Sequence, residues 1–278
     1  MKIYNTSDYI VVEYENQCFI PTNQDWDSFI NHNHLFQKIL GELPEYELIG
    51  DSTVLNNMHI LAPIASQEIW ASGVTYMRSK HARMEESKES GGATFYDKVY
   101  EAERPELFFK GTASRTVGPG QKVRIRKDST WNVPEPELTL FITSDGNIVG
   151  YTIGNDMSSR SIEGENPLYL PQAKVYDGAA ALGPCLLLTE DPISPETLIS
   201  IRISRKNTVV FSGTIPISQM KRKHTELVEY LFRDSTFANG VYMMTGTGIV
   251  PGNDFTLQSG DEISITIEGI GTLVNEVA

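Results

Sequence analysis

The spacing of apolar residues changes period several times along the chain, and each change marks an element. Near the start, "YIVVEY" and "QCFIP" read as strands of a small sheet. In "DWDSFINHNHLFQKIL", Trp26, Phe29, Ile30, Phe36, Ile39 and Leu40 recur at helical spacing. These elements define a small N-terminal domain over residues 1–62. A strand near residues 68–74, in "APIASQEIWASGVTY", opens a larger part spanning residues 63–278. Beyond "PELFFK" the pattern is mostly β. Hairpins are predicted at "TLFITSDGNIVGYTI", "LISIRISRKNTVVFSG" and "DEISITIEGIGTLVNEV". One later helix is expected in "SQMKRKHTELVEYLFRD", with Ser218 as its cap. Closely spaced strands, few helices and no βα alternation indicate an α+β, β-rich fold of the sandwich or roll type. Residues 78–104 break the pattern: they are highly charged and interrupted at Gly91-Gly92. They predict two short solvated helices, either a lid over a pocket or an exposed insertion.

Composition narrows the function classes. The 278 residues are 40% hydrophobic and 21% charged, as in ordinary globular proteins. A formal net charge of −13 argues against nucleic acid and against anionic membranes as partners. The apolar runs fall short of a membrane span. The opening residues lack a basic region followed by an apolar core, and there are only two cysteines, Cys18 and Cys185. A cytoplasmic protein with reduced thiols is therefore expected. Nucleotide-binding glycine motifs, C-x-x-C and H-E-x-x-H are absent.

The stretch "NVPEPELTLFI" carries the candidate chemistry. Glutamate is depleted in strands, and proline fits them only at starts, edges and bulges. Residues two apart in a strand share a face, so Glu135 and Glu137 point the same way. A two-residue turn at Asp145-Gly146 would pair Ser144 with Asn147, and the same register sets Glu135 opposite Asp156. Three carboxylates on one face repel unless something neutralises them. Oxygen ligands suit Mg²⁺, with Mn²⁺ or Ca²⁺ as substitutes. An exposed strand edge with scattered acids would show the same residues. Downstream, Lys174 lies in the small, apolar run "PQAKVYDGAAALGP". It is either a buried proton-transfer or substrate-binding group or the partner of Asp177 in a surface pair.

The ordered set "PELFFKGTASRTVGPG", "PEPELTLFI", "GYTIGNDMSSR", "AKVYDGAAALGP", "MTGTGIV" and "SGDEISITIEGIGTLVNEV" resembles the fumarylacetoacetate hydrolase superfamily over roughly residues 65–278. The resemblance implies a mixed β-sandwich roll, a Mg²⁺ site on Glu135, Glu137 and Asp156, an active-site lysine at Lys174, and a homodimer or larger assembly. One motif departs. The N-Y-x-x-H-x-x-E that activates water in hydrolases and decarboxylases of the family reads "TYMRSKHARMEE" here. Thr75 replaces the asparagine, Ser79 replaces the histidine, and His81 comes two residues late.

"SIEGENPLYLPQAKVYDG" resembles the branch of that superfamily that dehydrates 2-keto-3-deoxy sugar acids. This implies a proton-transfer role for Glu106. Thr247 in "GTG" matches a substrate-contacting stretch, and Arg78 and Phe108 are further expected substrate contacts. The reaction implied is 2-dehydro-3-deoxy-D-arabinonate to 2,5-dioxopentanoate plus water, through a metal-stabilised enolate. Lys174 and Glu106 would move the protons, with the Lys174 pKa lowered by the nearby cation. An acylpyruvate hydrolase or oxaloacetate decarboxylase, and a non-catalytic metal- or ligand-binding protein, are the alternatives.

Overall fold

The computed structural model describes residues 1–86 and 93–278. The N-terminal part contributes strands β1 (Lys2–Asn5), β2 (Ile10–Tyr14) and β3 (Gln17–Ile20). Helices α1 (Trp26–Ile30) and α2 (Leu35–Glu42) and strand β4 (Glu47–Asp51) follow. Then come β5 (Glu68–Gly73), α3 (Met77–Glu86), α4 (Ala93–Glu101) and β6 (Glu106–Thr112). Short strands β7 (Thr116–Val117), β8 (Lys122–Val123) and β9 (Asn132–Val133) lead to a long hairpin, β10 (Pro136–Ile142) and β11 (Ile148–Asp156). Next are β12 (Ser158–Ser159), α5 (Arg160–Glu165), α6 (Leu170–Lys174) and β13 (Ala180–Leu187). The chain ends with β14 (Leu198–Arg205), β15 (Thr208–Pro216), α7 (His224–Leu231), β16 (Val241–Met244), β17 (Glu262–Ile267) and β18 (Gly271–Val277).

Two sheets dominate this strand-rich α+β fold. The larger is mixed and runs β4-β3-β2-β1-β13-β11-β10-β16-β5-β6, with β7 also pairing parallel to β13. Rather than closing a small sheet of their own, β1–β4 extend this one through the β1–β13 pair. The smaller sheet runs β15-β14-β17-β18-β8. Alternation along β10 sends Leu138, Leu140 and Ile142 into a core shared with Ile199, Ile201, Ile203, Ile263 and Ile265 of the smaller sheet. Phe141, on the opposite face, joins Trp26, Phe29, Phe36 and Ile39 from the N-terminal helices. Glu135, Glu137 and Thr139 have the same parity as Phe141, so they share its face.

The turn of the β10–β11 hairpin differs from the expected one, and the difference cancels. The Thr143 N–H donates to Asn147 O at 2.9 Å, and the Gly146 N–H to Thr143 O at 2.9 Å. Three residues, Ser144 to Gly146, therefore make the turn, and Ser144 does not pair with Asn147. Gly146 has φ +81°, the left-handed conformation such a turn requires. A bulge then shifts the ladder: Ile142 pairs with Ile148, but Phe141 pairs with Gly150. The extra residue restores the register, and Pro136 faces Asn155.

Three other elements depart from expectation. The predicted N-terminal helix is interrupted between α1 and α2. Asn31 and Asn33 turn their side chains to the hairpin: Thr143 Oγ1 donates to Asn33 Oδ1 at 2.7 Å, and the Ser144 N–H to Asn31 Oδ1 at 2.9 Å. The late helix begins at His224, so Ser218 is not its cap. The intervening chain is tied down instead, with Met220 bridging Tyr76 and the Lys221 N–H donating to Thr75 O at 2.9 Å. Finally, α3 and α4 are not fully solvated, since Ser79, Ala82, Arg83 and Tyr100 are buried. The expected break at Gly91-Gly92 lies outside the described residues.

Candidate active site

Glu135 and Asp156 form a hydrogen-bonded pair just beyond the β10–β11 ladder. The Glu135 N–H donates to Asp156 O at 3.2 Å, and the Asp156 N–H to Glu135 O at 3.0 Å. Their side chains therefore leave the same face, with Glu137 two residues along. Pro136 fits because β16 pairs only with Thr139–Ile142. No neighbour on that side requires the donor that proline lacks. Oxygen atoms of Glu135, Glu137 and Asp156 lie within 4.8 Å of one another, and all three residues are buried. The loop after β16 secures the third acid: the Gly246 N–H donates to Glu137 Oε2 at 2.6 Å. Gly246 has φ +94°, and a Cβ there would sit 2.1 Å from Thr75 Oγ1, so the approach needs glycine.

Lys174, at the end of α6, is fully buried. Its ammonium donates to Glu135 Oε2 at 2.5 Å, Asp156 Oδ2 at 2.9 Å and Ser158 Oγ at 2.5 Å. Asp177 instead lies exposed near Arg115, so the alternative Lys174–Asp177 pair does not form. Burial acts to lower the Lys174 pKa, but Asp156, Glu135 and Glu163 outweigh it and hold the value above that of an ordinary lysine. A cation held by the triad would act against this pull, in the direction expected of a lysine beside a metal.

Glu106, at the start of β6, packs its carboxyl over Gly73. Its Oε2 is enclosed and has no hydrogen-bond partner among the described residues. Burial raises its pKa, against a smaller opposing pull from Arg83 and Lys174. Phe108, on the same face of β6, lies 5.6 Å from the Lys174 ammonium, measured to its ring centre. Two expected contacts are less direct. Arg78 lies on the exposed face of α3, and the Thr247 hydroxyl is turned back to Ile249 O at 3.2 Å. His81 is also exposed, while the Ser79 hydroxyl donates to Tyr76 O at 2.8 Å.

Four further charged residues escaped the sequence reading. Lys110 is buried and reaches Asp156 Oδ1 at 2.5 Å, Met157 O at 2.9 Å and Lys174 O at 2.6 Å. Arg160 donates to Glu135 Oε1 at 2.5 Å. Glu163 lies 2.9 Å from Arg83 and 3.4 Å from Lys174. The signals were present: Lys110 follows Glu106 and Phe108 at two-residue spacing, and Arg160, the last residue of "SSR", is followed by Glu163 at helical i,i+3 spacing. Four carboxylates (Glu135, Glu137, Asp156, Glu163) thus face four cations (Lys110, Lys174, Arg160, Arg83).

The donor set suits a hard divalent cation: three buried carboxylates converge, with no sulfur or imidazole among them. Burial, and then Asp156 and Glu135, push the Glu137 carboxyl well above its ordinary value. A cation at that point would relieve the strain on its ionised form.

Residues 68–278 match the family model described as fumarylacetoacetate hydrolase C-terminal. The chain belongs to the fumarylacetoacetate hydrolase family. Among curated relatives in this family, a probable 2-keto-3-deoxyxylonate dehydratase of Haloferax volcanii is 48% identical, with 86% of this chain and 82% of that protein aligned. The 2-dehydro-3-deoxy-D-arabinonate dehydratase of Saccharolobus solfataricus is 43% identical over 84% of this chain and 79% of that protein. A solved structure of 2-keto-3-deoxy-D-arabinonate dehydratase complexed with magnesium and 2,5-dioxopentanoate superposes with a TM-score of 0.81 at 35% identity. It covers 100% of this chain and 98% of that one. Among the described residues, no helix is long and apolar enough to cross a membrane.

Proposed function

We propose that this protein is a metal-dependent dehydratase that converts 2-dehydro-3-deoxy-D-arabinonate to 2,5-dioxopentanoate and water. The observation that carries the reading is the buried carboxylate triad joined directly to the Lys174 ammonium, in a chain 43% identical to an enzyme of that name. Arabinonate and xylonate differ only at C2 and C3, which become a ketone and a methylene in the substrate. The names of the two relatives therefore point to one carbon skeleton.

Glu135, Glu137 and Asp156 would hold Mg²⁺, with Mn²⁺ or Ca²⁺ as substitutes of the same oxygen preference. When bound, the cation polarises the 2-keto group and acidifies C3. Charge balance supports an anionic substrate. With Glu137 ionised beside a bound cation, the four carboxylates and the four cationic side chains would offset one another. A dication would be matched by the substrate carboxylate together with an ionised Glu106. Glu106, with one enclosed oxygen left unpaired, is placed to take the C3 proton. Burial strengthens it as a base by raising its pKa. Lys174, held as an ammonium by three acceptors, is placed to protonate the departing C4 hydroxyl. Loss of that hydroxyl and the C3 proton releases one water. Moving a proton from C5 to C3 then gives the enol of the aldehyde product. Phe108, Thr247 and Arg78 complete the reading as substrate contacts, Phe108 as an apolar wall and Arg78 from the rim.

Hydrolysis needs a group that activates water. Ser79 occupies the family histidine's place with its hydroxyl engaged by Tyr76, and His81 faces outward. Both observations favour dehydration over acylpyruvate hydrolysis or oxaloacetate decarboxylation. Buried, unpaired Cys18 and Cys185 support a reducing compartment, the cytoplasm. Assembly as a homodimer or larger oligomer belongs to the same reading and rests on family resemblance. The test is to incubate the protein with 2-keto-3-deoxy acids and with acylpyruvates, with and without Mg²⁺, and to weigh the products. Mg²⁺-dependent loss of water supports the reading. Scission of the carbon skeleton, or binding without turnover, overturns it.

A further inference from the structure

The α3–α4 pair is anchored at one end and touches the carboxylate site at another point. At the anchored end, Lys221 donates to Tyr100 O at 2.6 Å, and its ammonium lies 4.2 Å from the Tyr100 ring centre. Arg222 donates to Ala102 O at 2.5 Å and Glu103 O at 2.9 Å. Met220 and Lys221 also hold the start of α3 through Tyr76 and Thr75. Two turns into α3, Arg83 turns inward. Its Nη1 lies 2.9 Å from Glu163 Oε2, with both side chains almost fully buried. Glu163 is on α5, and its other oxygen, Oε1, lies 3.4 Å from the Lys174 ammonium. One carboxylate therefore bridges a helix outside the sheet and the lysine that contacts two of the three triad acids.

We propose that Arg83 and Glu163 act as one positioning unit that sets the Lys174 ammonium and ties its placement to the docking of α3; this rests on the dehydratase reading above. Neither residue belongs to the carboxylate triad, and neither is assigned a proton-transfer step. The argument is geometric. Lys174 is at the end of a five-residue helix and sits among three carboxylates, so its position depends on how their pulls are balanced. Glu163 without Arg83 would be a buried carboxylate short of one close cation. It would draw nearer to Lys174 or Arg160 and away from its present place. Displacements of about 1 Å in a proton-transfer group cost on the order of a hundredfold in rate.

The test uses the full-length protein with Mg²⁺ and four variants: Glu163→Gln, Arg83→Met, Arg83→Lys and the double variant Arg83→Met/Glu163→Gln. Turnover of 2-dehydro-3-deoxy-D-arabinonate, Mg²⁺ affinity by titration calorimetry and amide exchange over residues 77–86 and 100–103 are measured together. In Glu163→Gln and Arg83→Met, kcat should fall at least about tenfold, with KM and Mg²⁺ affinity within about threefold of wild type. Arg83→Lys should recover most of the loss. The double variant should be no worse than the poorer single, as expected for residues acting as one unit. Exchange in α3 should accelerate in Glu163→Gln, while Tyr100–Glu103 remains protected by Lys221 and Arg222. Wild-type kcat in either folded single variant, losses that multiply in the double, or unchanged exchange in α3 overturns the proposal. Should Glu163→Gln fail to fold, Glu163→Asp carries the same comparison. Absence of dehydration by the wild-type protein itself defeats the functional reading instead. The exchange measurement then still decides whether Glu163 holds α3.

Discussion

Replacing Lys174 by Met separates the charge of this side chain from its bulk. Methionine fills nearly the same volume, so little cavity is left, and the change removes contacts at 2.5 Å to Glu135 and 2.9 Å to Asp156, both in an enclosed site. At an effective dielectric of 20, unit charges 4 Å apart interact by about 4 kcal/mol. Removing one partner of a buried pair costs about 3–5 kcal/mol, because the remaining charge stays desolvated. The variant should therefore be about 3–5 kcal/mol less stable than wild type in the presence of a chelator. The assay is urea denaturation followed by tryptophan fluorescence, with the free energy extrapolated to water. Added Mg²⁺ should narrow the gap. A ligand at a hundred times its Kd stabilises a protein by about 2.7 kcal/mol, and the variant should bind the cation more tightly once the competing ammonium is gone. Turnover should be lost in both conditions. Equal stability in chelator, a gap indifferent to Mg²⁺, or wild-type turnover would refute the account of Lys174 as the counter-ion of the triad.

The triad acids give a sharper result on activity. Glu135→Gln or Asp156→Asn should abolish Mg²⁺-dependent turnover and lower Mg²⁺ affinity by at least about tenfold, with the circular dichroism spectrum retained; calorimetric titration checks this. Gly246→Ala should destabilise the protein by roughly 1–3 kcal/mol in urea. The methyl group meets Thr75 Oγ1 and Ser72 O, and the backbone keeps φ +94°. The same change should weaken Mg²⁺ binding by displacing the N–H that holds Glu137. Glu106→Gln should stop turnover and also alter the pH dependence of stability. The folded Glu106 carboxyl holds its proton more tightly than the unfolded one. Its contribution is therefore full below the ordinary carboxyl range and is lost as pH rises through the elevated folded value. A neutral amide removes that loss, so the variant should gain stability relative to wild type across that window, as read by urea titrations at several pH values.

Which side chains share a face can be read from the order of residues. The two-residue period put Glu135 and Glu137 together, and hairpin pairing put Asp156 opposite Glu135, because alternation is a local property of extended backbone. That outcome did not depend on the turn assumed. A three-residue turn and a compensating bulge reached the same register, since the buried apolar set of β10 and β11 fixes it more strongly than the loop does. The hairpins of the smaller sheet were legible for the same reason.

What meets the triad depends on how distant segments pack. Lys110 comes from β6, Lys174 from α6, Glu163 from α5 and Arg83 from α3, and no local period relates them. The pull on the Lys174 ammonium was set there too, by Glu135 just before β10, Asp156 at the end of β11 and Glu163 on α5, which together outweigh burial. Helix limits followed the same division. α1 ends where Asn31 and Asn33 find partners on a hairpin more than a hundred residues away, a competition that apolar spacing within the helix cannot reveal.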